Sequence, residues 1–221
     1  MNSVVARLVA KDFYLNRWLI TLALVAGVLS LVIIGSSRVG FSIGGIFYLT
    51  TVIAFGVVLV MYNIAQERKE KSLLFVLSLP LSASQYLQSK MLSTLGAFLV
   101  PWIVLTGGGV LMIALTPVPD GMIPYFMLVS VFMLMNFCVV LSCALISTSE
   151  PVISATIILT NLSVSLFFLM LAGIPDIDQS PKQDFIHWTR PFSWVLCGEI
   201  AILILALALP FRVGRYRLNA I

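Results

Sequence analysis

Residues 44–65 read GGIFYLTTVIAFGVVLVMYNIA, a run of 22 positions without a charged side chain. A helix needs roughly 20 apolar residues to cross the hydrocarbon core of a bilayer. Backbone groups inside lipid must form their hydrogen bonds within the segment, so a run of this length predicts a transmembrane helix.

Five more apolar runs flank this one, and together they predict six spans within a single transmembrane domain covering residues 1–221. The other five runs are residues 18–36, 91–115, 122–146, 151–173 and 194–211. The run 91–115 is expected to be part of a longer helix that covers 82–115. The whole chain is 60% hydrophobic and 10% charged, whereas a soluble domain carries about 25% charged residues. The sequence therefore predicts an all-α membrane protein. It excludes a disordered chain, and the small, scattered net charge of +4 argues against a nucleic-acid partner.

The basic residues assign the orientation of these spans. Lysines and arginines accumulate on the cytoplasmic side of a membrane protein. Ten of the thirteen fall on one side: Arg7, Lys11, Arg17, Arg68, Lys69, Lys71, Lys90, Arg212, Arg215 and Arg217. Both termini are therefore predicted to be cytoplasmic, including the tail 212–221, and the even number of spans agrees.

Residues 66–81 form the longest polar connection on the cytoplasmic side. A charged stretch, Glu67-Arg-Lys-Glu-Lys71, precedes the apolar stretch Leu73-Leu-Phe-Val-Leu77, and Pro80 ends it. Proline disfavours helix in the residue before it, so a short helix, a break and then the long third helix are expected. An exposed apolar helix requires either lipid headgroups or a protein groove. The segment is thus either an interfacial anchor or a docking helix for a cytoplasmic partner.

Residues 1–17 predict a separate amphipathic helix at the cytoplasmic surface. Its apolar side chains share one arc, while Arg7 and Lys11 lie opposite. Asp12 projects from the apolar arc, and we expect it to pair with a basic residue, such as Arg68 or Lys69. On the outer side, residues 174–193 are rich in proline and aromatic residues, which suits either an interfacial cap or an exit lid.

Three polar residues within the predicted spans are candidates for a substrate path. Glu199 either lies near the outer headgroups or faces a cavity that takes a cationic substrate. Asn136 and Asn161 either form interhelical hydrogen bonds or contact substrate. The sequence contains no Gly-rich phosphate loop, no paired intramembrane carboxylates and no metal-binding spacing of Cys or His. We therefore expect a chain that is not an enzyme and that binds no metal or cofactor.

The cytoplasmic connection resembles that of ABC-2-type transporter permeases. The resemblance rests on Glu67-Arg-Lys-Glu-Lys-Ser-Leu73, Leu77-Ser-Leu-Pro80, Ser82 and Lys90, and on Arg7-Leu-Val-Ala-Lys-Asp-Phe13 with Arg17, which is similar to the family's elbow helix. It implies a coupling helix between spans two and three that contacts an ATPase. The coupling residues would be Glu67, Arg68, Glu70, Leu73, Leu74, Phe75, Leu77 and Pro80, with Arg7, Lys11 and Asp12 in the elbow helix.

The resemblance also implies a function. Two permease copies, as a homodimer or a heterodimer, would each carry a cytoplasmic ABC ATPase subunit, and ATP and Mg²⁺ would bind to that partner. The assembly would export an amphipathic cargo such as a lipid, peptide or antibiotic across the cytoplasmic (inner) membrane. The alternatives are a haem-export-type permease of cytochrome c maturation and a non-transporting subunit that transmits ATPase-driven conformational change. An intramembrane enzyme is disfavoured because catalytic groups are missing.

Overall fold

The computed structural model describes residues 3–36, 38–66, 83–116, 118–147 and 149–218, and this part of the chain is helical with no strand. The all-α prediction is therefore confirmed. The α-helices are α1 (Ser3–Ile34), α2 (Arg38–Val60), α3 (Ala83–Leu115), α4 (Met122–Ile146), α5 (Glu150–Ala172), α6 (Pro175–Gln179) and α7 (Arg190–Leu218). A π-helical turn, Met61–Gln66, continues α2, and a 3₁₀ turn, Ser180–Lys182, follows α6.

Six of these helices are long and apolar enough to cross a membrane, as the sequence predicted. The bounds of α4 match the predicted span, and α3 begins one residue later than the predicted 82–115 helix. The sixth helix differs more, because α7 starts at Arg190 and continues through the predicted cytoplasmic tail to Leu218. The predicted outer loop, 174–193, contains α6 and the 3₁₀ turn.

The predicted boundary at residue 17 is wrong, because α1 is one uninterrupted helix of 32 residues. Asp12 and Asn16 are buried within α1 at 5% and 1% exposure. They find polar partners on other helices, as described below, so they do not end the helix. The predicted amphipathic pattern does hold, since Val5 is buried while Arg7 and Lys11 are exposed. At a rise of 1.5 Å per residue α1 is about 48 Å long, longer than the roughly 30 Å hydrocarbon core.

The bundle is organised around α4, which contacts α2, α3, α5 and α7, while α1 packs against α2 and α3. Within the most apolar window of each helix, 72% of α4 is buried, against 11% of α5 and 17% of α7. In lipid, close packing rather than the hydrophobic effect holds helices together. Stacked rings supply such packing: Phe98 on α3 lies 3.8 Å from Phe137 on α4, between ring centroids. Two helices, α5 and α7, consequently turn most of their surface away from the bundle.

The outer connections are tied to each other at Gly121, which precedes α4. Its N–H donates to the carbonyl of Gln183 at 3.0 Å, and the Ser180 hydroxyl donates to its carbonyl at 2.6 Å. A Cβ at Gly121 would collide with the Ser180 carbonyl oxygen. Ile177 and Ser180 are both buried. The segment 174–193 therefore packs over the turn between α3 and α4. Of the two roles expected for it, this packing fits an interfacial cap.

Candidate coupling site

A buried ion pair joins α1 to α3 near the end of the bundle that is predicted to face the cytoplasm, called the cytoplasmic end below. Lys90 Nζ lies 3.0 Å from Asp12 Oδ2, and the two side chains are 9% and 6% exposed. The Ser93 hydroxyl donates a second hydrogen bond to the same carboxylate oxygen at 2.8 Å. Burying charges is costly unless they are paired and hydrogen-bonded. Among the described residues, Lys90 and Ser93 of α3 meet both conditions for the Asp12 carboxylate.

A chain of amide hydrogen bonds extends the ion pair to the end of α2. Asn16 Nδ2 donates to the Asp12 carbonyl at 2.7 Å and to Asn63 Oδ1 at 2.8 Å. Asn63 Nδ2 lies 3.4 Å from Thr94 Oγ1 on α3. We call these six residues, Asp12, Asn16, Asn63, Lys90, Ser93 and Thr94, the polar triangle, because they tie α1, the π turn and α3 together. All six are buried.

The polar triangle lies at the cytoplasmic boundary of the predicted membrane. Asp12 precedes the outer end of α1, Ile34, by 22 residues, which is about 33 Å of helix. That length matches the roughly 30 Å hydrocarbon core. Charged groups are far less costly at this depth than at the bilayer centre.

The π turn places the polar triangle next to the predicted coupling segment. Asn63 lies in the middle of Met61–Gln66, and Gln66 directly precedes Glu67. Single π turns are rare and are frequently found at functional sites. On the other side of the segment, Lys90 lies about two turns after the start of α3 at Ala83. The two helices that enter and leave the segment are therefore both fixed to α1.

An open pocket lies at the same end of the bundle. It holds about 1,020 Å³ of empty space, including its open mouth, and lies between the cytoplasmic end of α2 and the start of α5. Met61, Tyr62 and Gln66 of the π turn contribute to it, and Glu150 of α5 lies at its edge. At the cytoplasmic end, the polar triangle thus links three helical segments by hydrogen bonds, and an open concave surface lies beside it.

The predicted coupling residues fall outside the residues that the structure describes. These are Glu67, Arg68, Glu70, Leu73, Leu74, Phe75, Leu77 and Pro80. Asp12 has a basic partner, as expected, and among the described residues this partner is Lys90; Arg68 and Lys69 lie outside the described residues. Asp12 lies on the face of α1 that packs against α3, and Lys90 is on α3 at the same depth.

The two asparagines proposed for a substrate path are brought together near mid-membrane. Asn136 and Asn161 line one cavity of about 370 Å³ between α2, α3, α4 and α5. Asn136 accepts a hydrogen bond from the Ser163 hydroxyl of α5 at 3.2 Å, which confirms the interhelical bond expected for it. Asn161 is exposed on the face of α5.

Glu199 lies apart from both polar sites, on α7. It is 4% exposed, and neither carboxylate oxygen has a hydrogen-bond partner among the described residues. A buried polar group without a partner is costly.

Four members of the polar triangle were not predicted from the sequence as site residues: Asn16, Asn63, Ser93 and Thr94. The available signals were the i to i+4 spacing of Asp12 and Asn16, and a single amide near the end of an otherwise apolar span. Among the described residues, no group of three or more His, Cys, Asp or Glu side chains could hold a metal ion.

The match to a family decides what kind of membrane protein this is. A family model described as "ABC-2 family transporter protein" matches residues 17–197, which is most of the chain. The chain belongs to the ABC-2 transporter family. It is therefore the multi-pass transmembrane subunit of an ABC transporter, a permease whose family works with an ABC ATPase. Neither a curated protein nor a solved structure matches the chain.

Proposed function

We propose that this permease is the membrane subunit of an ATP-driven exporter in the cytoplasmic (inner) membrane. It moves an amphipathic cargo, such as a lipid, peptide or antibiotic, outward between two copies of the chain. A separate ABC ATPase binds ATP and Mg²⁺ and supplies the energy, and the permease itself catalyses no reaction. Residues 66–81 act as the coupling segment that docks on the ATPase.

The polar triangle is the observation that carries this proposal. A force applied to the coupling segment reaches α2 through the π turn and α3 through its first turns. Lys90 and Ser93 bind Asp12, and Asn63 binds Asn16, so α1 has to follow both helices. Packed elements of this kind shift as units rather than deforming continuously. A movement at the ATPase surface is thereby passed to three helices at once.

The exposed face of α5 supports a path between two copies. Ser154, Asn161 and Ser165 are all exposed in the single chain and lie on one side of this helix. Polar side chains in spans usually face a bundle interior or a water-filled cavity rather than lipid. A second copy placed against α5 would enclose these residues, and the homodimer is the simplest such pair.

Docking of the coupling segment is tested by Phe75→Asp. An apolar side chain that fills a groove on the ATPase should not tolerate a charge, so the ATPase that co-purifies with the wild-type permease should be lost. Phe185→Asp makes the same exchange at a 59% exposed ring in the outer loop and should leave the complex intact. Equal recovery of the ATPase with both variants would refute the docking assignment.

The direction of transport is tested in vesicles that contain the permease–ATPase complex. Externally added ATP reaches only the complexes whose ATPase faces outward, and for these an exporter moves a lipid from the outer to the inner leaflet. A fluorescent phosphatidylethanolamine should then become protected from dithionite with ATP, but not with a non-hydrolysable analogue. Movement in the opposite direction would overturn the exporter assignment. If this lipid does not move while peptide or antibiotic probes are taken up, those probes identify the cargo class.

A further inference from the structure

A separate cavity lies among α1, α2, α3, α4 and the end of α5, where Phe168 lines it. It holds about 730 Å³ of empty space, including its open mouth, which is within the roughly 300–1,000 Å³ of small-molecule sites. Its wall consists of apolar side chains and glycines, with Tyr48 and Tyr125 as the two polar exceptions. All of its lining residues belong to one copy of the chain, and Asn136 and Asn161 are not among them.

With the orientation predicted from the basic residues, the cavity lies in the outer half of the membrane. Ile34 is the last residue of α1, and Met122 is the first of α4. Met112 comes three residues before the end of α3. Val129 lies seven residues into α4, or about 10 Å below its start. The surroundings at this depth are the hydrocarbon chains of the outer leaflet.

The rings of Tyr48 and Phe126 form the floor of the cavity, and Gly109 leaves room for the Phe126 ring. The rings of Tyr48 and Phe126 are 5.4 Å apart. A Cβ at Gly109 would collide with the Phe126 ring, so glycine is what allows that ring to lie against α3. The Tyr48 hydroxyl shares a hydrogen bond with the buried Ser130 hydroxyl at 3.4 Å. The polar atom of the floor is thus already satisfied, and an apolar cavity of this kind excludes water.

The helix turns beside the cavity are open to lipid. Ile43 and Ile46, on either side of Gly45, are 56% and 67% exposed, and Leu111, next to Met112, is 62% exposed. We propose that this cavity binds one acyl chain of an outer-leaflet phospholipid. The wall has the chemistry of a hydrocarbon chain, the depth is that of the outer-leaflet chains, and the neighbouring surface is already in contact with them.

Gly45 provides a way to fill the cavity without disturbing the fold. No atom lies within 4 Å of a Cβ built there, so Gly45→Phe should place its ring in the empty space. Gly107→Phe is the matched control, because that position also has open space around its Cβ but does not line the cavity. Gly45→Leu provides a smaller filling side chain in case the phenylalanine variant does not fold.

The occupant can be identified through the methionines of the wall. Photomethionine, a diazirine analogue, is incorporated throughout, and the permease is irradiated in phosphatidylethanolamine–phosphatidylglycerol vesicles. Met112 and Met122 line the cavity, whereas Met170 is 45% exposed on α5 and serves as the reference for ordinary lipid contact. Mass spectrometry should find one phospholipid attached to the Met112 and Met122 peptides.

Filling the cavity should remove these adducts selectively. Gly45→Phe or Gly45→Leu should lower the yield at Met112 relative to Met170 by about tenfold, equivalent to about 1.4 kcal/mol of binding. Gly107→Phe should leave the ratio unchanged. An unchanged ratio in both Gly45 variants would overturn the proposal. So would a product that joins Met112 to a second copy of the chain, because it would assign the cavity to a protein contact.

Discussion

Replacing Lys90 by methionine should lower the free energy of unfolding of the permease by about 3–5 kcal/mol, the usual cost of stranding one partner of a buried ion pair. The structure supports a value of this size. At the Nζ–Oδ2 distance of 3.0 Å, two unit charges attract by about 5.5 kcal/mol in an effective dielectric constant of about 20. The Ser93 hydroxyl still donates to Asp12 in the variant, so the lower end of the range is expected.

The assay is unfolding of the purified permease in mixed micelles with increasing SDS, together with a matched control. Lys182→Met makes the same exchange in the exposed pair with Asp178, whose side chains are 73% and 50% exposed, and should change stability by less than about 0.5 kcal/mol. Adding Asp12→Asn to Lys90→Met removes the stranded charge and should recover at least half of the loss. The reasoning is refuted if Lys90→Met is as stable as Lys182→Met, or if the double variant is no more stable than Lys90→Met alone.

Three further changes test other contacts by the same unfolding measurement. Gly121→Ala should lower the free energy of unfolding by roughly 1–3 kcal/mol, because the new Cβ would collide with the Ser180 carbonyl oxygen. Gly173→Ala is the control and should be tolerated, because the nearest atom to its Cβ is 3.4 Å away. Equal losses of stability in the two variants would argue against the clash. Trp102→Phe should cost about 0.5–1.5 kcal/mol by deleting the 2.9 Å bond to the Ser130 carbonyl; no loss would mean that this bond contributes nothing. Glu199→Leu should stabilise, because both carboxylate oxygens lack a partner among the described residues; a loss above about 1 kcal/mol would reveal a hidden partner.

The spans were predictable because a single physical constraint fixes them. Uninterrupted apolar runs such as residues 44–65 have to be helical in lipid, and the predicted bounds of α4 match the structure. The predicted helix boundary at residue 17 was wrong because polar residues there were taken to end the helix. Asp12, Asn16 and Arg17 resemble a polar boundary when the sequence is read alone, but the first two are buried against other helices. A polar residue ends a span only when the protein offers it no partner.

The polar triangle could be predicted only in part. A carboxylate on an apolar arc indicates that a partner exists, which was correct for Asp12. Lys90 is 78 positions away, and Asn63 is 47 positions from Asn16. Which of the basic residues at the cytoplasmic end becomes the partner depends on how α1 packs against α3. Helical periodicity describes each helix separately and carries no information about that packing.

The π turn at the end of α2 also sets an angle. Each π turn accommodates one residue more than an α turn, and one residue of α-helix corresponds to about 100° of rotation. Deleting a single residue between Met61 and Gln66 would therefore swing the outgoing chain about 100° around the axis of α2, while the rest of the bundle keeps its sequence. The number of residues in the π turn thus determines the direction in which the cytoplasmic connection leaves α2. An insertion or deletion there would redirect the proposed coupling segment without altering any residue within it.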